Sequence, residues 1–440
     1  MSSLLKHVEN DFIMESYSDG VILTGKDLIR RSIVIAKQLK KYNTILLCAP
    51  NSIEWVEIYL AATSVVSKLI LVDSTIEKEA LDSIIKKHTP EIVFSSRSDV
   101  ECLIEKSDET QEKVHDNLVS EADQTNCSVV MYTSGTSGRG KGIIINTDQI
   151  VKNVVSSNEK LRISQRDTFF HCVPFAHSMG HLVLLCCLFS KSKMILCDNY
   201  ATAIHGLLHT DSNITVLPPA VIMKCCNNDA IINKLKKYRA IISGGAPIDQ
   251  GDYEDIVSKG LKIYNGYGAT ECVCGIAIAD TAKAPLYGVL EPLSWANVFL
   301  GSDGEVLVSG DCVCHFYDDG TPIAEDNIYH TRDIGKFDDC GNLFIVCRKD
   351  DVIVLSSGYK IIRHELEAKI EELPIVSACS ILTFLPEKGL QALVQVAEQV
   401  DEKELLEIIN QHLLTLEHIS EIKIVDDVYN LRGKKKRVYE

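Results

Sequence analysis

Apolar and polar positions alternate between two periods along the first hundred or so residues. Asp27 to Leu39 carries its apolar residues at helical spacing, which predicts an amphipathic helix. Thr44 to Cys48 is a short apolar run stopped at Pro50 and Asn51, as in a buried strand. Ser52 to Ala62 predicts a second helix with Ser52 as its N-cap, and Lys68 to Val72 the next strand. Glu105 to Asn126 is polar, charge-rich and free of β-branched runs, so it reads as a surface connection. More strands are expected at Val129–Thr133, Thr168–Val173, Met194–Leu196, Thr215–Leu217, Ala240–Ser243 and Lys262–Tyr264. From Gly301 to Cys347 the pattern changes to short strands with turns at Asp303-Gly304, Asp319-Gly320 and Cys340-Gly341, which predicts antiparallel β structure. After Asp350 two helices stand out, Arg363–Glu372 and Lys403–Leu416. The expected fold class is α/β: a large N-terminal domain of α/β subdomains plus a small β portion (1–349), then a small α+β C-terminal domain (350–440).

The 440 residues are 46% hydrophobic and 24% charged, which excludes wholesale disorder. A net charge of −16 disfavours nucleic acid as the main partner. The 16 cysteines include no C-x-x-C, and their scatter fits buried, reduced thiols in a reducing compartment. The longest apolar stretch, Leu182 to Phe189, is far short of the roughly 20 residues of a membrane span. A soluble, cytoplasmic protein without a membrane span is the expectation.

The most specific segment is Tyr132 to Gly142, YTSGTSGRGKG. A strand empties into a run of glycines and hydroxyls followed by Lys141. Glycines let backbone N–H groups crowd around an anion, hydroxyls add donors and the lysine adds charge, so the segment has the makings of a polyphosphate cradle. Gly135 to Lys141 fits the count of a P-loop, G-x-x-x-x-G-K. That motif needs Ser or Thr next and then a helix, whereas Gly142 and three isoleucines follow.

Instead, the segment resembles the phosphate loop of the adenylate-forming superfamily, which includes acyl-CoA synthetases, peptide-synthetase adenylation domains and firefly luciferase. Gly140 stands where that family has Pro. Further segments follow in the family's order. Ser243 to Pro247 (SGGAP) resembles the turn lining the adenine and acyl pocket, and Asn265 to Glu271 (NGYGATE) the second signature. Tyr329 to Gly335 (YHTRDIG) resembles the ribose-binding T-G-D segment, with Arg332 in place of its Gly. Cys347 to Asp351 (CRKDD) resembles the hinge, and Leu431 to Arg437 (LRGKKKR) the terminal G-K-x-x-R.

The resemblance implies a set of roles. Thr133, Ser134, Gly135, Thr136, Ser137 and Gly138 would hold the phosphates together with Lys141. Gly245, Ala246, Gly266, Tyr267 and Gly268 would line the nucleotide site, with Tyr267 stacked on adenine. Thr270 would contact the α-phosphate and Glu271 would help hold Mg2+. Asp333 would bind the ribose hydroxyls and Arg348 the ribose or phosphate. Asp350, or else Asp351, would be the pivot of a mobile C-terminal domain carrying Lys434 as the adenylation lysine and Gly358 for the thiol tunnel.

Pro174 to His181 (PFAHSMGH) resembles a P-x-x-H-x-x-G segment, which would put His177 beside the acyl pocket. No aspartate lies between His171 and Ser190 to pair with an α-ammonium, so a neutral-tailed acid is favoured over an amino acid. The implied activity is ATP-dependent formation of an acyl-adenylate, then transfer to a pantetheine thiol of coenzyme A or of an acyl carrier protein. Arg332, Gly140 and a short N-terminal portion motivate the alternative of a degenerate nucleotide-binding relative without catalysis; an amino-acid adenylation domain is a further alternative.

Overall fold

The computed structural model describes residues 4–95, 127–132, 140–197, 200–246, 248, 250–355, 357, 359–382, 384 and 388–428. The expected connection at Glu105 to Asn126 lies outside them, as do Thr133, Ser134, Gly135, Thr136, Ser137, Gly138, Gly358 and Lys434. The chain forms two compact units, one of residues 1–301, 307–331 and 337–344, the other of 302–306, 332–336 and 345–440.

The first unit holds two sheets. Nine strands run in the order Glu291–Pro292, Ala277–Ile278, Ile263–Tyr267, Ala240–Ser243, Ile214–Val216, Thr168–His171, Lys193–Leu196, Ile13–Ser16, Ile22–Thr24. The six from Ile263–Tyr267 to Ile13–Ser16 are parallel. Five more run Ile92–Ser95, Thr44–Cys48, Lys68–Leu71, Ser128–Tyr132, Gly142–Asn146, parallel except for the last pair. One core takes in Ile45 and Leu47 of the smaller sheet, Phe169 and Met194 of the larger, and the helices Ile53–Val65 and Ser178–Leu188. Both helices are apolar almost all round, which suits burial on every side. Ser52 caps the first, its Oγ accepting the Trp55 N–H at 3.0 Å. Trp55 stacks on Tyr59 and leans on Phe175, with ring centroids 5.3 and 5.1 Å away. Each fully buried side chain of this kind contributes about 2–3 kcal/mol. Asn51, read from the sequence only as a strand stop, is a buried staple. Its amide donates to the Val173 carbonyl and accepts from the Phe175 N–H, both at 2.8 Å. That fixes the loop leading into Ser178–Leu188, and the strand expected to reach Val173 ends at His171.

The stretch expected to be β structure supplies a sheet in the order Asn297–Leu300, Glu305–Ser309, Ile328–Phe337, Leu343–Arg348. The C-terminal unit packs the helices Arg363–Glu371 and Glu402–His412 on a sheet of Val376–Ile381, Leu390–Val396 and Ile419–Ile424. Its last helix is shorter than the apolar spacing predicts. Leu413 turns to extended backbone, and Leu414 and Leu416 are exposed. Buried Arg363 donates from Nη1 to the Ile381 and Leu382 carbonyls at 2.8 and 2.7 Å. Among the described residues no helix is long and apolar enough to cross a membrane.

Candidate active site

The chemistry-bearing residues of the first unit gather at the carboxyl ends of its parallel strands, where open α/β sheets place their ligands. Ile263–Tyr267 runs out into Gly268, and a side chain there has no room: a Cβ would fall 1.3 Å from the Cys274 carbonyl oxygen. The chain then makes one 3-10 turn, Thr270–Cys272. Thr270 Oγ1 donates to Ser178 Oγ at 3.3 Å, and the Glu271 carbonyl accepts the Cys314 N–H at 2.8 Å. The Glu271 carboxylate accepts the Tyr317 hydroxyl at 3.4 Å. Burial, and then Glu271, push the Tyr317 phenol up to about 12, so it remains a donor at neutral pH.

The neighbouring strand ends at Ser243 and leads to Gly244, then to Gly245 at φ 83°, with Gly245 and Ala246 exposed. Two polar atoms missed in the sequence sit here. Ser243 Oγ and Asn265 Nδ2 are buried and have no hydrogen-bond partner within the protein. Buried donors left in this state are costly unless a ligand completes them. An apolar cavity of about 110 Å3 is lined by Leu161, Met179, Leu182, Val183, Val216, Ile242 and Ile278 together with Gly244, Gly245, Gly266, Tyr267 and Gly268. His177 is not in that lining. It stands at the N-cap position of the helix without a side-chain capping bond, and its Nε2 meets Asp73 Oδ2 at 2.6 Å. Burial opposes the Asp73 charge, but hydrogen bonds from His177 and Thr75 outweigh it and hold the carboxyl at about 2.

The two described ends of the glycine-rich segment meet one carboxylate. Asp318 accepts the Tyr132 hydroxyl at 2.6 Å and His88 Nε2 at 3.1 Å on Oδ2, and Lys87 Nζ at 2.7 Å and the Gly142 N–H at 3.2 Å on Oδ1. Burial works against that charge, yet the bonds from His88, Lys87 and Tyr132 hold the carboxyl well below the usual carboxylate range. Lys141 Nζ lies 4.5 Å above the ring of Tyr317, a cation–π distance.

In the second unit Arg348 Nη1 donates to Asp333 Oδ1 at 2.8 Å, with Asp333 buried. Arg332 takes φ 60°, the left-handed region that favours glycine, and pairs with Asp350 at 2.5 Å. Asp351 instead faces Arg363 Nε at 3.6 Å.

A family model described as AMP-binding enzyme matches residues 19–317. The chain belongs to that family. The match takes in Lys141, Tyr267, Thr270 and Glu271 and stops before Asp333, which places this AMP-binding enzyme in the adenylate-forming superfamily. It is 26% identical over 310 residues to the 2-succinylbenzoate–CoA ligase of Bacillus anthracis (strain A0248). That alignment covers 64% of this chain and 63% of the ligase, so the chain spans less than two thirds of the length of the curated relatives it matches. Among solved structures, it resembles O-succinylbenzoate coenzyme A synthetase (MenE) from Bacillus subtilis in complex with AMP, with a TM-score of 0.78 at 18% identity over 99% of this chain and 97% of that one. ATP-bound MatB from Rhodopseudomonas palustris gives a TM-score of 0.80 at the same identity and coverage. At this identity the likeness is one of fold.

Proposed function

We propose that this AMP-binding enzyme activates a carboxylic acid with an uncharged, compact tail as its acyl-adenylate and then passes the acyl group to coenzyme A. The observation that carries the proposal is the gathering of Lys141, Tyr317, Glu271 and Thr270 beside an apolar cavity at the strand ends. In the first step a carboxylate oxygen attacks the α-phosphorus of ATP and pyrophosphate leaves. Lys141, steered by the Tyr317 ring, sits to meet charge on the departing phosphates, and Thr270 to meet the α-phosphate. Thr133, Ser134, Gly135, Thr136, Ser137 and Gly138 would add donors around the same phosphates. The orphaned Ser243 and Asn265 donors suit a polar ligand over Gly245, Ala246, Gly266, Tyr267 and Gly268, with Tyr267 offering a face to the base.

Among the described residues no three His, Cys, Asp or Glu side chains gather as a metal cage. A lone Glu271 carboxylate suits Mg2+, which keeps waters and substrate phosphates among its ligands. Bound there, the ion would offset phosphate charge. Asp333, backed by Arg348, offers a carboxylate to the ribose hydroxyls. In the second step the thiol sulfur attacks the acyl carbonyl carbon, AMP leaves and the thiol proton is released. The C-terminal unit would turn about Asp350 between steps, withdrawing Lys434 and bringing Gly358 to the thiol. Asp351 faces the buried Arg363, whereas the Asp350 carboxylate pairs with the exposed Arg332, which favours Asp350 as the pivot.

The cavity's seven aliphatic and thioether side chains, Leu161 among them, and its scale next to the roughly 150 Å3 apolar cavity that takes up benzene, favour a ring-sized or short-chain tail. Coenzyme A is favoured as acceptor because the relatives' names specify it. The test is carboxylate-dependent exchange of labelled pyrophosphate into ATP across fatty, aryl and amino acids, followed by thioester formation with coenzyme A or a carrier protein. Exchange with compact apolar acids is expected. Exchange with amino acids alone would overturn the substrate class, and silence with ATP still bound would mean a degenerate nucleotide binder.

A further inference from the structure

Asp318 opens the segment DDG, which the sequence marks only as a turn, yet five interactions converge on it. Its carboxylate takes the four contacts from Tyr132, His88, Lys87 and the Gly142 N–H, and its own N–H donates to the Gly142 carbonyl at 2.7 Å. The carboxylate is 3% exposed, so this is a built-in anchor and not a surface pair. It packs so closely that a Cβ on Gly142 would lie 2.5 Å from Oδ2. Tyr132 and Gly142 bracket the glycine-rich segment on either side, and Gly142 directly follows Lys141. The residue before Asp318 is Tyr317, whose ring lies under the Lys141 ammonium and whose hydroxyl reaches Glu271. One dipeptide therefore ties both stems of the segment, its lysine and the magnesium-ligand candidate together.

We infer, on the strength of the adenylation proposed above, that Asp318 is a positioning residue for that step: it acts through Gly142 and Tyr132 to hold Lys141 where the departing pyrophosphate develops charge. Lys87 and His88 end the helix Lys78–His88 and supply the cation and the ring that keep this carboxylate ionised and aimed. The thiol-transfer step makes no use of Lys141, so the two half-reactions separate the inference from a general structural role.

The experiment measures pyrophosphate exchange and, independently, thioester formation from supplied acyl-adenylate, on the full chain. Asp318→Asn should lower the exchange kcat about 100-fold, the scale of a misplacement near 1 Å, and leave transfer from acyl-adenylate within about 2-fold. In a Lys141→Ala background the same substitution should cost under about 3-fold more, because the two act as a unit. Tyr132→Phe removes one hydrogen bond at nearly constant volume and should give the same split at about a tenth of the size. It carries the test if Asp318→Asn does not fold. Equal loss in both half-reactions, or full additivity with Lys141→Ala, would overturn the positioning role. A wild-type enzyme that shows no exchange with any acid would overturn the adenylation proposal itself, whereas robust wild-type exchange unaffected by Asp318→Asn overturns this inference alone.

Discussion

Arg332 stands where the resembling segment of the family has glycine, and its backbone takes the left-handed conformation that favours glycine, at φ 60°. Two interactions hold it there. Its N–H donates to Glu305 Oε1 at 2.9 Å, on a buried carboxylate that also takes Lys349 Nζ at 2.8 Å. Its guanidinium pairs with Asp350, each side chain about 60% exposed. Arg332→Gly should release about 1–2 kcal/mol of left-handed strain. Against that stand about 0.4–1 kcal/mol of added unfolded-state entropy and about 0–1 kcal/mol for the lost exposed pair. The sum predicts stability within about 1 kcal/mol of the parent, despite replacement of the largest cation by the smallest residue.

Arg332→Val is the contrasting perturbation. A β-branched residue at this φ is a genuine outlier, so the turn should flatten at a cost of about 2–3 kcal/mol and move the adjoining Asp333. Urea unfolding midpoints give the stabilities, and the KM for ATP in pyrophosphate exchange reports Asp333. A displaced charged hydrogen bond to ribose should raise KM about 10-fold or more in the valine variant and leave the glycine variant near the parent. A glycine variant destabilised by more than about 2 kcal/mol would refute the reasoning. So would a valine variant indistinguishable from it, because Arg332 would then contribute its side chain and not its backbone.

Lys434→Ala should abolish acyl-adenylate formation and leave thioester formation from supplied acyl-adenylate largely intact; equal loss of both would contradict a C-terminal unit that turns between steps. Gly268→Ala should cost at least about 2 kcal/mol, because its Cβ meets backbone at 1.3 Å, whereas the Cβ of Gly266→Ala meets nothing closer than 3.7 Å and should be tolerated; thermal unfolding distinguishes them. Burial holds His181 down at about 3 and His171 at about 4, so both stay neutral in the folded protein while the unfolded chain takes up protons near pH 6.5. The stability they allow is complete above pH 6.5 and falls as the pH drops toward 4, by up to about 1.4 kcal/mol per unit for each. His181→Gln should roughly halve that slope in urea titrations between pH 4 and 6, and an unchanged slope would count against it.

Most of the sheet strands were legible because a buried strand is a local pattern, and the helices Gly25–Leu39 and Ile53–Val65 carry their own caps, Thr24 and Ser52. Gly268 was picked out only as a nucleotide-site glycine through the resemblance, whereas the structure shows that it makes room for the Cys274 carbonyl. Asp318 and Asn51 were not legible. His88 lies 230 residues from Asp318 and Phe175 lies 124 from Asn51, and neither turn chemistry nor strand punctuation records such pairings. His177 was expected beside the acyl pocket from its segment, but Asp73, 104 residues upstream, captures its ring. The C-terminal helix was overextended because Leu413, Leu414 and Leu416 continue the apolar spacing after the backbone has left the helix.

An acyl-adenylate is a strong electrophile, and this site surrounds the proposed one with cysteines. Cys274 lines the apolar cavity, while Cys272 and Cys314 flank the Glu271 turn. A thiolate at any of them could take the acyl group as a dead-end thioester. Burial prevents it: the Cys274 thiol is pushed up to about 11 and that of Cys314 to about 12, and Cys272 is raised as well. At pH 7 a thiol with a value near 11 is ionised about once in ten thousand. The burial that would give the proposed acyl tail an apolar bed therefore also holds the Cys274 sulfur as a thiol, so a mixed anhydride formed there would await a thiol from outside.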